Sequence, residues 1–292
     1  MKTLLLLRFL TSSIPKNRSF LALCILLLFA GCEAKIEGSG PRLYVFDCGS
    51  IKFEDISHFG LSNNQTEVRE MFVPCYLIEH DKGRLLWDSG LPLSVVGQGK
   101  ITVRPGIEQS YKRSLMQQLN EMDIRPEMVN FIALSHMHSD HVGAAKEFKQ
   151  ATLLIQQPEF EAAFTNVADF PIFDFSVYKE LENNKRQILN GDFDVFGDGS
   201  VKILNAPGHT PGHQVLLLRL KNYGPLLLSG DLYHFVKSRE LKAIPIFNTD
   251  AEQTLESMEK IEGIIASEKA TLWIEHNLAL AKTLNLAPAF YD

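Results

Sequence analysis

The segment Ser135-His136-Met137-His138-Ser139-Asp140-His141-Val142-Gly143 decides how this chain is read. It follows Phe131-Ile132-Ala133-Leu134, a short apolar run that reads as a buried strand. Three imidazoles and a carboxylate between positions 136 and 141 make a poor core and are costly to bury without partners. Metal ions supply such partners. His136 and His138 alternate by two and can face one ion, while Asp140 and His141 continue around a turn and can face another. Zinc suits nitrogen and carboxylate donors of this kind.

Three further polar segments each follow an apolar, strand-like run. Ala206-Pro207-Gly208-His209-Thr210-Pro211-Gly212-His213 comes after residues 201–204, Ser229-Gly230-Asp231 after 226–228, and Glu275-His276-Asn277 after 271–274. Upstream, Leu43-Tyr44-Val45-Phe46-Asp47-Cys48-Gly49 reads as a strand ending at a glycine, and residues 71–80 and 84–90 as a hairpin around Asp81-Lys82-Gly83. Helical spacing over residues 110–122 places Leu115, Leu119 and Met122 on one face. A second helix, over 251–266, has Asp250 as N-cap and Leu255, Met258 and Ile261 on its apolar side. Strands interspersed with helices imply an α/β protein with helix-covered sheets. No linker-like composition divides residues 42–292, which read as one domain. Between two of the strands, residues 158–189 carry Phe160, Phe164, Phe170, Phe173, Phe175 and Tyr178. These aromatics either pack the segment onto the core or form an apolar wall beside a site.

The 292 residues, 45% hydrophobic and 22% charged, suffice for a sizeable core and are neither repetitive nor disordered in composition. The first thirty-two residues differ, with Lys2, Arg8, Lys16 and Arg18, no acid, and an apolar run over 20–30 that stops at Gly31-Cys32. That run is too short for a permanent membrane span but suits a secretory signal. Phe29-Ala30-Gly31-Cys32 resembles a bacterial lipobox, in which the cysteine is lipidated, so we expect a signal peptide over 1–32 and a polar tether over 33–41. Glu33 after the cysteine resembles the sorting pattern for the outer membrane, giving a periplasm-facing lipoprotein. Removal of residues 1–32 takes the net charge from −6 to −10, which disfavours nucleic acid as a partner. Cys48 and Cys75 lie in strand-like runs, where a disulfide and two buried thiols are equally open.

Taken in order, the polar segments resemble the metallo-β-lactamase superfamily over nearly the whole mature chain. The resemblance implies a four-layer αββα sandwich with its site at one edge of two sheets. It assigns His136, His138 and His209 to a first ion, Asp140, His141 and His276 to a second, and Asp231 as a bridge between them. It also implies two divalent ions, zinc by default, sharing a hydroxide that acts as nucleophile, with Asp140 handling a proton in the later step. His213 is expected to be structural, as are His58 and His80, which have no motif around them.

Within the superfamily, an acidic bridge at Asp231 resembles lactonases and thioesterases, whereas true metallo-β-lactamases generally lack it. The stretches around 43–49, 72–78 and 244–250 look most like N-acyl-homoserine-lactone lactonases. Those enzymes carry a substrate-contacting tyrosine three residues past the bridging aspartate; here His234 stands there, with Tyr233 one earlier, and both are expected to reach the substrate. The expected activity is therefore opening of the acyl-homoserine lactone ring, a small-molecule reaction, with the acyl chain held by residues 160–178. The alternatives are a thioesterase or other carboxylic-ester hydrolase, then a β-lactamase, then a non-catalytic metal-binding lipoprotein.

Overall fold

The structure is a computed structural model that describes residues 40–292. The expected signal peptide and lipobox, and all of the tether but Gly40 and Pro41, lie outside the described residues. In chain order, the first eight strands are β1 (Arg42–Phe53), β2 (Glu70–His80), β3 (Gly83–Trp87), β4 (Lys100–Arg104), β5 (Ile107–Ser110), β6 (Phe131–Ala133), β7 (Thr152–Gln156) and β8 (Arg186–Leu189). They form one sheet in the order β4-β5-β1-β2-β3-β6-β7-β8. A second sheet, in the order β13-β12-β11-β10-β9, is built from β9 (Phe193–Asp194), β10 (Val201–Asn205), β11 (Gln214–Leu220), β12 (Gly224–Leu228) and β13 (Thr271–Trp273). The last strand, β14 (Phe290–Tyr291), returns to pair with β1.

Side chains on a strand alternate between faces, and here both faces are apolar. Leu43, Val45, Tyr76 and Trp87 of the first sheet meet Val201, Leu216, Leu218 and Trp273 of the second in a buried middle layer. Their neighbours Tyr44, Phe46, Leu77 and Leu86 point the other way, onto Leu115, Leu119 and Phe148. On the far side Val215, Leu217 and Leu227 pack against Met258 and Ile261. Three apolar interfaces separate four layers, the αββα sandwich. Each buried side chain of this size contributes roughly 1.5–3 kcal/mol.

The differences from the sequence-based expectation are local. The first helix begins at Leu115 rather than Ser110, because Ser110 ends β5, where it pairs with Ser50. Ser114 then caps it, accepting from the Gln117 amide in a capping box. The later helix, Ala251–Glu268, does start from Asp250, whose carboxylate accepts the Gln253 amide at 2.9 Å. Met258 and Ile261 are buried, but Leu255 is 41% exposed, and Thr254 and Ser257 take the inward places. The reason is polar: the Ser257 hydroxyl donates to the Pro207 carbonyl at 2.6 Å, turning that face toward the loop before His209. Strand β1 runs through Gly49 with a register shift between Asp47 and Ser50 instead of ending there. Beside that shift, Cys48 and Cys75 form a disulfide.

The topology sets one edge apart. Strands β3 and β6 are parallel, as are β12 and β13, so their carboxyl ends emerge side by side. His136, Asp231 and His276 each lie three residues past the end of their strand, and His209 lies just past β10.

Candidate metal centre

The chain leaves β6 through Ser135, whose amide donates to Asp88 Oδ1 at 2.6 Å, and turns at His138 into the short helix Ser139–Val142. That turn divides the histidine segment between two clusters. In the first, His136 Nε2, His138 Nδ1, His209 Nε2 and one oxygen of Asp231 converge. His136 Nε2 is 2.8 Å from His138 Nδ1 and 3.2 Å from His209 Nε2, while Asp231 Oδ2 lies 3.6 and 3.5 Å from His136 and His209. In the second, His141 Nε2 and His276 Nε2 stand 3.7 and 3.8 Å from Asp140 Oδ2. The other Asp231 oxygen, Oδ1, is 3.5 Å from His141 Nε2 and 2.9 Å from His276 Nε2. The Asp231 carboxylate thus offers one oxygen to each cluster. All seven residues expected from the sequence to be ligands are brought together.

The ring nitrogens that point away from the clusters are held by acceptors. His276 Nδ1 donates to the Phe72 carbonyl at 2.8 Å, His141 Nδ1 to Asp88 Oδ2 at 3.0 Å, and His209 Nδ1 to Asn248 Oδ1 at 2.8 Å. Each such bond fixes the tautomer and leaves the Nε2 lone pair facing inward. His276 Nε2 therefore aims a lone pair at Asp231 Oδ1, and His209 Nε2 aims one at its neighbours, arrangements that require a proton or a cation between them. His141 Nε2 and Asp231 Oδ1 are buried without a hydrogen-bond partner among the described residues. Donors about 2.0–2.1 Å from one tetrahedral ion lie about 3.4 Å from one another, close to the separations here. The residues fit two divalent ions: His136, His138 and His209 on one side, Asp140, His141 and His276 on the other, and Asp231 between.

The electrostatics separate the two clusters. Burial pushes His136 and His209 well below the usual imidazole range and His138 down to about 4, so the first cluster is neutral and ready to ligate. In the second cluster burial opposes charge too, but Asp231 and other carboxylates outweigh it, holding His276 up to about 9 and His141 well above its ordinary value. Burial likewise opposes the charge of Asp231, yet His234, His276 and His141 hold its carboxyl well below the usual range.

A cleft of about 920 Å³ opens above the centre, floored by His138, Asp140, Asp231, His234 and His276. Ile51, Phe53, Val95, Ile101, Val103 and Ile107 contribute apolar wall, faced by Ile172 and Phe247. His234 is buried with Nε2 3.0 Å from Asp231 Oδ2, so it stands at the floor as the sequence suggested. Tyr233 does not. Its hydroxyl donates to Glu262 Oε1 at 2.9 Å and its ring packs with Met258 and Ile261, because successive residues of the loop point to opposite sides. The expectation that Tyr233 reaches the substrate is corrected: it anchors the outer helix. His213 is structural, donating from Nδ1 to the Ala206 carbonyl and accepting the Asp231 amide at Nε2, each at 2.9 Å. Gly230 makes that contact possible; with φ at +47°, any Cβ there would lie 2.7 Å from His213 Nε2. His80 stacks on Phe196, away from the cleft, whereas His58 lines it.

The aromatic segment is also reassigned in part. Phe160, Phe164, Phe175 and Tyr178 pack on one another and on the outer core of the first sheet. Only Ile172 and Asp174 reach the cleft, with Phe173 buried edge-on to the His138 ring at 5.6 Å. The apolar lining of the cleft comes mainly from β1, β4 and β5 rather than from residues 160–178.

Three residues that hydrogen-bond to the clustered side chains or to the loops carrying them were not singled out in the sequence. Asp88, in left-handed backbone at φ 53°, orients His141 and the Ser135 amide; its signal was an aspartate in Trp87-Asp88-Ser89-Gly90 directly after a buried strand. Asn248 orients His209 and lies in the stretch 244–250 already noted for its resemblance. Glu159 is 2% exposed and accepts two backbone amides, and nothing in its sequence surroundings marks it.

The family model described as "Metallo-beta-lactamase superfamily" matches residues 68–264. An N-acyl homoserine lactonase, AttM, of Rhizobium radiobacter is 31% identical over 263 residues, covering 86% of this chain and 98% of its own length. An N-acyl homoserine lactonase of a Bacillus species is 27% identical over 259 residues, covering 85% of this chain and 98% of its own length. Among solved structures, an N-acyl homoserine lactone hydrolase with the product N-hexanoyl-L-homoserine at its catalytic metal centre superposes with a TM-score of 0.74 at 25% identity, over 86% of this chain and 99% of its own. Its sandwich, the order of its ligand segments and these relatives place the chain in one family: it belongs to the metallo-β-lactamase superfamily, alongside the N-acyl homoserine lactonases.

Proposed function

We propose that this protein is a dinuclear metal-dependent hydrolase that opens the lactone ring of N-acyl homoserine lactones. The observation that carries the reading is the seat for two ions lying at the foot of an apolar cleft, a site for a polar ring and a greasy chain together. The lactonases named above act on that substrate class and share the fold over nearly their whole length. When bound, two divalent ions supply Lewis acidity and activate water near neutral pH.

The chain's own residues do the rest. His136, His138, His209, Asp140, His141, His276 and Asp231 would hold the ions, and zinc fits this donor set. The ring ester C–O bond breaks, the acyl carbon takes an oxygen from water, and the departing alkoxide takes a proton. Asp140, only partly buried on the cleft floor, is placed to carry that proton. His234 orients the ring carbonyl from the position where the family's tyrosine stands, a role its ring N–H can fill. Ile101, Val103 and Ile107 shield the acyl chain from water.

The same proposal includes residues 42–292 as one hydrolase domain, exported behind the signal at 1–32 and anchored by lipid on Cys32. Export and anchoring rest on the lipobox-like Phe29-Ala30-Gly31-Cys32, and a disulfide between Cys48 and Cys75 suits an oxidising compartment. Labelled fatty acid should enter the wild-type chain and be absent from Cys32→Ser; equal labelling would refute the anchor.

The decisive test is a hydrolysis screen of zinc-loaded protein against acyl-homoserine lactones, a thioester and a chromogenic β-lactam. The lactones should turn over fastest, and chelation should abolish turnover. Efficient thioester cleavage without lactone opening would transfer the assignment to the ester hydrolases.

A further inference from the structure

Glu159 lies between β7 and the aromatic segment, in a place where a carboxylate has no obvious business. It is 2% exposed, and its hydrogen bonds come from main-chain amides of two separate ligand loops. Oε1 accepts from the Met137 amide at 2.9 Å, and Met137 stands between His136 and His138. Oε2 accepts from the Gly212 amide at 2.8 Å, in the turn that follows His209. Gly212 is directly followed by His213, which accepts the Asp231 amide. One carboxylate therefore connects the loop of the first two histidines, the loop of the third, and through His213 the bridging aspartate. The packing is built for this: a Cβ on Gly212 would lie 2.6 Å from both the Glu159 nitrogen and its Cβ.

We propose that Glu159 is a positioning residue for the metal centre, a buried clamp that sets the separation of the His136–His138 and His209 loops. The proposal rests on reading those histidines as ligands of the first ion. Once ionised, a carboxylate suits the task because both of its oxygens only accept and the two amides it faces only donate. Burial pushes Glu159 up to about 7, so the clamp is fully formed above about pH 8, where the zinc titrations are to be made. Glutamine in the same place offers one acceptor and one donor, so one of the two loop amides would face an N–H and the loops would part. Groups that orient ligands from outside typically alter metal affinity by roughly 10- to 100-fold, and a clamp across two loops belongs in that range.

The test is zinc binding to demetallated full-length protein, by competition with a chromophoric chelator, for wild type, Glu159→Gln and Gly212→Ala. Cobalt(II) absorption reports the geometry of the occupied site, and circular dichroism confirms folding. Glu159→Gln should remain folded, weaken the tighter zinc roughly 10- to 100-fold, and shift the cobalt bands. Gly212→Ala, which pushes at the same contact from the other side, should move affinity and spectrum in the same direction. Phe160→Ala, in the same helix but outside the clamp, should lower thermal stability with zinc affinity unchanged. Wild-type affinity and cobalt bands in folded Glu159→Gln and Gly212→Ala would overturn the proposal, as would an equal loss of affinity in Phe160→Ala. Absence of tight zinc binding by the wild type would instead overturn the reading of the histidines, so the two failures are distinct.

Discussion

The floor of the cleft and its walls are made by different means. The floor is a set of polar side chains placed a few residues beyond strand ends, and three of the imidazoles behind it, His276, His141 and His209, are locked by acceptors on Phe72, Asp88 and Asn248. The walls are apolar side chains drawn from β1, β4, β5 and the loops near 172 and 247, several of them half exposed. The contrast teaches that the floor depends on partners fixed by the sandwich core, whereas the outer part of the walls, Val103 and Ile172 above all, can vary with little disturbance to that core.

The sharpest way to break this comparison is Asp231→Asn. Loss of the shared carboxylate should reduce metal retention and lower turnover of every substrate by more than about 100-fold, exceeding the usual effect of an outer-shell change. Metal content and kcat measured together check it; retained metals with near wild-type turnover would remove the bridge from the floor.

A second measurement separates the two halves of the floor. His276 and His141 are held protonated in the absence of an ion, His276 up to about 9, while His136, His138 and His209 are neutral at pH 7. An ion entering the second cluster must displace protons, so its affinity should rise by about tenfold per pH unit for each such imidazole and fall as pH drops from 9. Affinity at the first cluster should stay nearly flat above pH 5. Calorimetric zinc titrations in buffers of different ionisation enthalpy would count the released protons, and no release at pH 7 would contradict the assignment.

Smaller effects belong to the boundary and the walls. His234→Ala should reduce kcat roughly 10- to 100-fold with both metals retained, since its proposed task is orientation. Each acyl methylene buried against the walls should contribute up to about 0.8 kcal/mol, or roughly fourfold in KM. Val103→Ser and Ile172→Ser, at positions 42% and 43% exposed, should flatten that chain-length dependence while leaving kcat on short chains alone. Phe160→Ala should leave chain-length dependence intact, because its ring stacks on Phe164 rather than lining the cleft. Equal flattening by Phe160→Ala would return the acyl site to the aromatic segment.

By itself the sequence picked out the seven residues that the fold brings together, their order, the strand that precedes each group of them, and the class of layered α/β fold. It could do so because metal donors are chemically conspicuous and buried strands are continuous apolar runs, both local properties. Which way Tyr233 and His234 point, which residues hold the imidazoles, and which segment walls the cleft were decided only by tertiary structure. Phe173 and Phe160 look alike in sequence, and Glu159 looks like any helical surface acid until Met137 and Gly212 are brought to its two oxygens from 22 and 53 residues away. Such roles depend on neighbours distant along the chain, and no local pattern encodes a partner that only the packing of two sheets delivers.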